Sequence, residues 1–184
     1  MTKTMIVTGC SGGFGLSIAV RAAARGWRVL GSVRRDQDGE GLRAAGCDVG
    51  ICDLCDEESV QDFAHRAVAW AGGSIDCVVH NAGTAFPAPM AAATRADLMA
   101  QFEINGAGHF RLNRALLPAA IKAGGTILFI SSISTQLPTA LLGLYAGSKR
   151  ALEAMAEALA LEVEPLGVRV GVVRPGSYRT DIWA

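Results

Sequence analysis

Short apolar runs alternate with longer helix-patterned segments along this 184-residue chain, and the alternation restricts the fold more than any other feature. The runs are β-branched or apolar with little polar alternation, which is typical of strands that helices cover on both faces. They span residues 4–8, 27–33, 47–52, 75–80, 126–131 and 168–173. Repeated units of this kind predict an α/β domain with a parallel sheet.

Segment 56–71 shows the helical pattern most clearly. Its apolar residues recur at intervals of three and four, as in a helix that buries one face. Glycines also follow the helical segments, where a left-handed residue often ends a helix. They occupy positions 26, 46, 72, 124 and 167. Six strands with right-handed crossovers favour a Rossmann-type, doubly wound sheet in the order 3-2-1-4-5-6, with ligands at its carboxyl edge.

Composition narrows the function classes. Hydrophobic residues make up 51% of the chain and charged residues 18%, so one globular domain, 1–184, is expected. The 17 basic and 17 acidic residues balance, which disfavours binding to nucleic acid or acidic membranes. No apolar run reaches the roughly 18 residues of a spanning helix, and the N-terminus leads into a strand without a leader pattern. We therefore predict a cytoplasmic protein.

The cysteines predict neither disulfides nor a metal site. Five is an odd number in a chain large enough to fold without disulfides, so free thiols are expected. Cys52 and Cys55 form a Cys-x-x-Cys pattern, but no second Cys or His pair stands at zinc-site spacing. His65 and His109 fall on helical patterns and are interpreted as structural or surface residues.

A glycine-rich turn, residues 8–15, joins the first strand to a helix and reads Thr-Gly-Cys-Ser-Gly-Gly-Phe-Gly. A helix N-terminus presents unpaired N–H groups, and glycines let a pyrophosphate approach the backbone. The spacing Gly-x-x-x-Gly-x-Gly differs from the usual Gly-x-Gly-x-x-Gly pattern, and no Gly-Lys-Ser/Thr follows as in a P-loop. By itself the motif leaves two interpretations open, a nucleotide site and a purely structural turn.

Tyr145 and Lys149 stand four residues apart on one face of a predicted helix. The unperturbed pKa of tyrosine is about 10, and a neighbouring ammonium favours the phenolate. Such a pair suits proton transfer near neutral pH. In isolation, a solvated lysine beside a half-buried tyrosine is the simpler explanation.

Taken in order, the motifs resemble those of the short-chain dehydrogenase/reductase superfamily over essentially the whole chain. The glycine-rich turn resembles the coenzyme loop, and His80-Asn81-Ala82-Gly83 resembles the family's Asn-Asn-Ala-Gly segment with histidine in first position. Ser132 precedes Tyr145 by the family's interval, and residues 175–180 resemble its Pro-Gly-x-x-x-Thr segment. Members usually continue further, so we expect the fold to lack a C-terminal strand and substrate lid. A shortened member, a fragment and missing downstream residues are alternative explanations.

The resemblance implies four catalytic residues. Tyr145 would exchange a proton with the substrate oxygen, and Ser132 would donate a hydrogen bond to it. Lys149 would bind the nicotinamide ribose and lower the Tyr145 pKa, and Asn105 would hold a water in a proton relay, although a buried Asn could equally be structural. The implied cofactor contacts, besides Tyr145 and Lys149, are Gly9, Ser11, Gly13, Phe14, Gly15, Asp53, Leu54, Asn81, Ala82, Gly83, Pro175, Gly176 and Thr180.

The end of the second strand predicts NADP (NADPH) in preference to NAD. Val33 stands where NAD-specific relatives would have an Asp that accepts from the ribose, and Arg34 and Arg35 follow at once. A guanidinium offers forked donors to a 2′-phosphate, and Arg34, next to the strand, is the stronger candidate. Asp36 stands roughly 20 residues beyond the glycine loop and competes as an NAD-binding acid. Asp53, assigned to the adenine, has a helix cap as its alternative role.

The predicted function is that of an NADP-dependent oxidoreductase that transfers hydride between nicotinamide and a carbonyl or secondary alcohol. The alternatives are a catalytically silent nucleotide-binding module and a truncated fragment of such an enzyme. Two long predicted helices, about 94–122 and 142–165, are apolar on more than one side. Such helices need a second buried contact, which predicts a homo-dimer or homo-tetramer.

Overall fold

The computed structural model describes residues 2–178. Within that range a six-stranded sheet has the order β3-β2-β1-β4-β5-β6, and every neighbouring pair is parallel. The predicted doubly wound order is therefore confirmed. The strands are β1 (Thr4–Val7), β2 (Arg28–Val33), β3 (Asp48–Ile51), β4 (Cys77–His80), β5 (Thr126–Ile130) and β6 (Arg169–Val173).

Helices pack on both faces of the sheet. Successive residues of β1 illustrate this, because Ile6 belongs to the core beneath one set of helices and Val7 to the core beneath the other. The helices are α1 (Gly13–Ala23), α2 (Glu40–Ala44), α3 (Glu57–Trp70), α4 (Arg95–Phe102), α5 (Gly108–Ala123) and α6 (Gly143–Val163). The core with Ile6 holds residues of α3, α5 and α6, and the core with Val7 holds residues of α1 and α2.

Helix ends follow the local chemistry of the sequence. The Asp56 side chain caps α3 by accepting hydrogen bonds from the backbone N–H groups of Glu58 and Ser59. The five glycines predicted to end helices all have a positive φ, between 56° and 81°. These positions are confirmed as left-handed.

One predicted long helix has a break in its regular geometry. Between α4 and α5 the chain makes a wider π turn, Glu103–Ala107, so segment 94–122 is not a regular α-helix throughout. Wide turns of this type are frequent at functional sites. No helix within residues 2–178 combines the length and apolar character needed to cross a bilayer.

Candidate active site

A cleft of about 760 Å³ lies at the carboxyl edge of the sheet. The segments that follow all six strands contribute to its walls, including Gly9 after β1, Arg34 after β2 and Asp53 after β3. Ligands of open parallel sheets bind at this edge, where the strand order reverses. Most of the predicted site residues meet here, namely Gly9, Ser11, Gly13, Phe14, Arg34, Asp53, Leu54, Asn81, Ala82, Gly83, Ser132, Tyr145, Lys149, Pro175 and Gly176.

Four predicted site residues are not placed on the cleft wall by the structure. Gly15, Arg35 and Asn105 are not among the residues that line it within the described chain. Thr180 lies outside the described residues. Each of the first three has a specific contact that explains its position.

The side chains of Thr8 and Asn81 join the loops after β1 and β4 by bonding to backbone atoms. The Thr8 hydroxyl accepts hydrogen bonds from the backbone N–H of Asn81 at 2.9 Å and of Ala82 at 3.0 Å. In return, the Asn81 side-chain amide donates to the carbonyls of Thr8 at 2.9 Å and Gly9 at 3.1 Å. These bonds fix the relative positions of the two loops at the point where the strand order reverses.

The same two loops are too close for side chains at two of the glycines. A Cβ at Gly9, which has φ +70°, would lie 2.7 Å from the Ala82 Cα. A Cβ at Gly15 would lie 2.2 Å from the Gly9 carbonyl oxygen and 2.6 Å from the Asn81 side-chain nitrogen. Gly15 is therefore needed for packing behind the loop rather than as part of the cleft wall.

The N-terminus of α1 contributes to the cleft wall through Ser11, Gly12 and Gly13. Within the described residues, no side chain caps this end and its first turn carries no acidic group. The amide groups and the positive end of the helix dipole favour an anion there. This end of the cleft is suited to a phosphate group.

Arg34 and Arg35 have different surroundings. Arg34 lines the cleft, whereas the Arg35 guanidinium forms a two-bond ion pair with Asp38, at 3.0 and 3.1 Å. Asp36, the competing acid, is paired with the guanidinium of Arg43. The two arginines are adjacent in the sequence, but in the structure only Arg34 of the two lines the cleft.

Asp53 lines the cleft and holds the turn that follows β3. Its carboxylate accepts a hydrogen bond from the Cys55 N–H at 2.9 Å, while the helix cap expected as its alternative role belongs to Asp56. All five cysteines are free thiols, and burial raises the pKa of Cys52 to about 12. Among residues 2–178, no three metal-ligating side chains are grouped.

Ser132, Tyr145 and Lys149 line the same cleft from β5 and α6. Lys149 is 3% exposed, and its ammonium donates a hydrogen bond to the Ile130 carbonyl at 2.9 Å. Burial lowers the pKa of Lys149 to about 8. Burial raises the pKa of Tyr145, and a hydrogen bond with the Ser132 side chain opposes that rise.

The direction of the Tyr145 shift differs from the expected one. We expected the neighbouring Lys149 ammonium to lower the Tyr145 pKa, but the removal of the phenol from water outweighs the opposing hydrogen bond. The Lys149 ammonium bonds to the Ile130 carbonyl. The Tyr145-x-x-x-Lys149 spacing alone therefore did not predict the direction of the Tyr145 pKa shift.

Asn105 lies in the π turn and is completely buried. Its side-chain amide donates to the Thr84 carbonyl at 2.9 Å and to the Ser148 hydroxyl at 3.0 Å, and its oxygen accepts from the Thr84 N–H at 3.0 Å. These contacts join the loop after β4 to α6. Both side-chain N–H groups are therefore used within the protein.

His80 and His109 form a buried aromatic contact behind the loop after β4. Their ring centroids are 5.3 Å apart, and a His109 nitrogen donates to the Ala82 carbonyl at 2.8 Å. His80 contacts the Asn113 side chain at 3.3 Å, and burial lowers its pKa to about 4. His80 is therefore a neutral packing residue behind the cleft.

Sequence reasoning missed several residues that line the cleft. Position after a strand was the signal that could have found many of them, because every strand of a parallel sheet ends at the same edge. The Tyr178 ring additionally makes an edge contact with Phe14 at 5.1 Å. The missed residues include Ser32, Cys55, Phe86, Ile133, Leu137 and Tyr178.

Comparisons with known proteins agree with this geometry. The chain is similar to an uncharacterized oxidoreductase of Escherichia coli, YbbO, with 35% identity over 181 residues. The match covers 98% of this chain and 67% of that protein. The chain thus spans about two thirds of the length of that relative.

Solved structures show the same fold. A short-chain dehydrogenase from Streptomyces avermitilis is 37% identical with a TM-score of 0.92, over 100% of this chain and 68% of that one. A metagenomic short-chain oxidoreductase in complex with NADP is 32% identical with a TM-score of 0.87, over 97% and 84% of the two chains. The family model described as short chain dehydrogenase matches residues 3–184. The chain therefore belongs to the short-chain dehydrogenase family of oxidoreductases.

Proposed function

We propose that the chain is an NADP-dependent oxidoreductase that transfers hydride between nicotinamide and a carbonyl or secondary alcohol. The observation that carries the proposal is that Ser132, Tyr145 and Lys149 line the same cleft as the glycine-rich loop. A proton donor, a hydrogen-bond donor and a cation thus share one space with an anion-binding helix end. This combination suits proton transfer and charge stabilisation at a carbonyl oxygen.

The residues present fit a dinucleotide. The close contact with Ala82 leaves no room for a side chain at Gly9, so the backbone of the glycine-rich loop stays open to a ligand. The α1 N-terminus supplies amide groups for a pyrophosphate. Asp53 lies on the wall of the same cleft and is assigned to the adenine. When bound, the nicotinamide supplies or accepts the hydride.

Each catalytic side chain has a distinct task in the proposed reaction. Tyr145 donates its phenolic proton to the substrate oxygen during reduction and takes it back during oxidation. Ser132 holds that oxygen with its hydroxyl. Lys149 binds the nicotinamide ribose and places a positive charge near the tyrosine. Asn105 acts through the contacts that connect Thr84 to α6, which leaves its predicted water relay as a hypothesis.

The NADP preference rests on Arg34. Its position on the cleft wall, next to the end of β2, suits a 2′-phosphate. Asp36 is paired with Arg43 and is not among the described residues that line the cleft. The metagenomic relative solved with NADP supports the same preference. NAD is the less favoured cofactor.

The proposal extends to the partners. The substrate is a small carbonyl or alcohol compound, and neither nucleic acid nor membrane is a partner of the proposed cytoplasmic enzyme. Exposed apolar residues on α4 and α6, among them Met99 and Met155, support a homo-dimer or homo-tetramer. Light scattering at micromolar concentration tests this assignment, and a monomer would contradict it.

A panel assay separates the enzyme from the catalytically silent module. Purified protein is mixed with NADPH and with aliphatic and aromatic aldehydes and ketones, and NADPH consumption is followed by absorbance. NADPH binding is measured in parallel by fluorescence titration. Turnover with at least one carbonyl supports the proposal. Tight NADPH binding without any turnover favours the silent module, and weak binding with aggregation favours the fragment.

A further inference from the structure

Glu153 is a buried carboxylate outside the proposed catalytic set. It lies on α6 one helical turn after Lys149 and two turns after Tyr145, and it is 1% exposed. A charge so completely removed from water requires partners that compensate for the lost hydration. The carboxylate has such partners from two other parts of the chain.

The partners of Glu153 are the segments that follow β5 and β6. The Ser131 hydroxyl donates to Oε1 at 2.6 Å, and the Thr135 hydroxyl lies 2.9 Å from the same oxygen. Arg174 binds with a fork, Nε to Oε1 at 2.8 Å and Nη2 to Oε2 at 3.0 Å. Arg150 of α6 adds a longer contact to Oε2 at 3.3 Å.

These partners directly flank the proposed active site. Ser131 and Thr135 bracket Ser132, and the Thr135 hydroxyl also lies 2.9 Å from the Ser132 carbonyl. Arg174 immediately precedes Pro175, a residue of the cleft wall. Glu153 itself is not among the described residues that line the cleft, so any effect on chemistry acts through its neighbours.

Backbone bonds continue the same connection. The Ser131 N–H donates to the Val173 carbonyl at 2.8 Å, and the Ile133 N–H donates to the Pro175 carbonyl at 2.9 Å. The loops that carry Ser132 and Pro175 are therefore paired with each other, and one carboxylate on α6 holds both. The same helix carries Tyr145, so these contacts connect the Ser132 loop to the helix that carries Tyr145.

We propose that Glu153 is a positioning residue, whose carboxylate holds the Ser132 loop and the Arg174–Pro175 segment against α6 so that the Ser132 and Tyr145 hydroxyls meet at one substrate oxygen. This inference rests on the proposed function. Burial alone would raise the pKa of Glu153, but hydrogen bonds from Arg174, Ser131 and Thr135 lower it overall, so the group is ionised at neutral pH.

Glu153→Gln tests the proposal because it keeps the shape and replaces one acceptor oxygen with an N–H donor that opposes Arg174. The matched control is Glu157→Gln, which removes the same charge one turn later on α6. Glu157 contacts Arg174 at 3.5 Å and is mostly exposed. Both variants are compared with the unmodified chain for kcat, NADPH affinity and hydrogen exchange at residues 131–135 and 173–176.

For Glu153→Gln we expect kcat to fall about tenfold to a hundredfold. This loss does not exceed the loss in kcat on direct removal of one oriented hydrogen-bond donor from an active site. NADPH affinity should fall less than kcat, because the coenzyme loop after β1 is untouched and only the segment with Pro175 and Gly176 loosens. Hydrogen exchange should rise in both loops. The Glu157→Gln control should leave all three quantities unchanged.

Two results would overturn the proposal. Unchanged exchange in both loops shows that Glu153 does not hold them, and faster exchange with unchanged kcat reduces Glu153 to a structural role. If the unmodified chain shows no turnover, the proposed function fails, and hydrogen exchange alone decides whether Glu153 holds the loops. If Glu153→Gln does not fold, Ser131→Ala removes the shortest bond and must lower kcat in the same selective way.

Discussion

At the β1–β4 end of the cleft, the uncharged side chains of Thr8 and Asn81 join two loops by hydrogen bonds to backbone atoms. At the β5–β6 end, the charged Glu153 carboxylate instead joins two loops by bonds to other side chains. The first connection depends on the absence of Cβ atoms and contains no titratable group. The second depends on buried charges. The comparison indicates that geometry limits substitutions at the cofactor end, while ionisation and desolvation limit them at the catalytic end.

The catalytic end also costs stability. Lys149 is buried with its charge, and burial lowers its pKa to about 8. A buried cation at that position lowers the stability of the fold relative to an apolar side chain of the same length. Residues retained despite such a cost are expected where activity requires them.

The largest effect is expected from Tyr145→Phe, which removes the proton at the catalytic end and leaves the ring. Turnover should fall about 10²–10⁴-fold, the usual contribution of general acid catalysis. NADPH affinity should change little, because the β1–β4 end is intact. Steady-state rates and fluorescence titration measure the two quantities.

The control for Tyr145→Phe is Tyr178→Phe, which removes the hydroxyl of the other tyrosine and keeps its edge contact with Phe14. It should retain turnover. Equal losses in both variants would mean that the Tyr145 hydroxyl has no special role.

Gly9→Ala tests the close approach of the two loops at the β1–β4 end. Gly9 has φ +70°, and an added Cβ would lie 2.7 Å from the Ala82 Cα. We expect the free energy of unfolding to fall by about 2–5 kcal/mol, from the left-handed conformation and from overpacking together. Urea unfolding monitored by tryptophan fluorescence measures it.

The matched control is Gly26→Ala, where φ is +81° and an added Cβ meets nothing within 4 Å. It should cost only the conformational part, about 1–2 kcal/mol. Similar losses at both positions would show that the close approach of the two loops is not needed for stability.

The stability of the catalytic end should depend on pH through Lys149. Because its folded pKa is lowered to about 8 from an ordinary value of 10.5, the unfolded chain binds more protons between these values. The contribution of Lys149 to the free energy of unfolding therefore rises between these two pH values, by about 3 kcal/mol in total.

Unfolding of the unmodified chain and of Lys149→Met, measured from about pH 7 to pH 10, isolates this contribution as the difference between the two. Lys149→Met should be more stable at neutral pH, and its advantage should shrink as the pH rises. A difference that stays constant with pH would contradict the buried ammonium.

The smallest effect concerns the outer part of the cofactor end. Arg34→Ala should weaken NADPH binding by about tenfold to a hundredfold and leave NADH binding nearly unchanged, because one charge-assisted contact to the 2′-phosphate contributes about 1.5–3 kcal/mol. Titration of both cofactors at fixed salt measures the difference.

Arg35→Ala is the control, since its guanidinium is paired with Asp38 at the surface. Such exposed pairs contribute little to folding stability. Because Arg35 is also not among the described residues of the cleft wall, the affinities for NADPH and NADH should both stay unchanged. An NADPH affinity that falls in Arg35→Ala and not in Arg34→Ala would reverse the assignment.

The parts of the molecule that the sequence predicted are those that local rules determine. Strand order followed from apolar runs and crossover handedness, and the left-handed glycines followed from their place after helices. Ser132, Tyr145 and Lys149 were assigned by motif, and all three lie on the cleft wall.

What the sequence did not predict depends on which side chains meet in three dimensions. Arg34 and Arg35 are adjacent in the sequence, but Arg34 lines the cleft and Arg35 is paired with Asp38. Glu153 follows Lys149 by four residues, but its partners Ser131 and Arg174 come from distant segments. The raised pKa of Tyr145 depends on burial by the whole fold.

The most direct test of the proposed reaction is transfer of the cofactor's hydrogen to carbon. NADPH carrying deuterium at the transferred position is incubated with the protein and with each carbonyl of the panel, and the alcohol product is analysed by mass spectrometry. The proposed function predicts one deuterium on the carbinol carbon, formed by the unmodified chain and lost with Tyr145→Phe. NADPH consumption with no deuterium on that carbon, or no product across the panel, would contradict it.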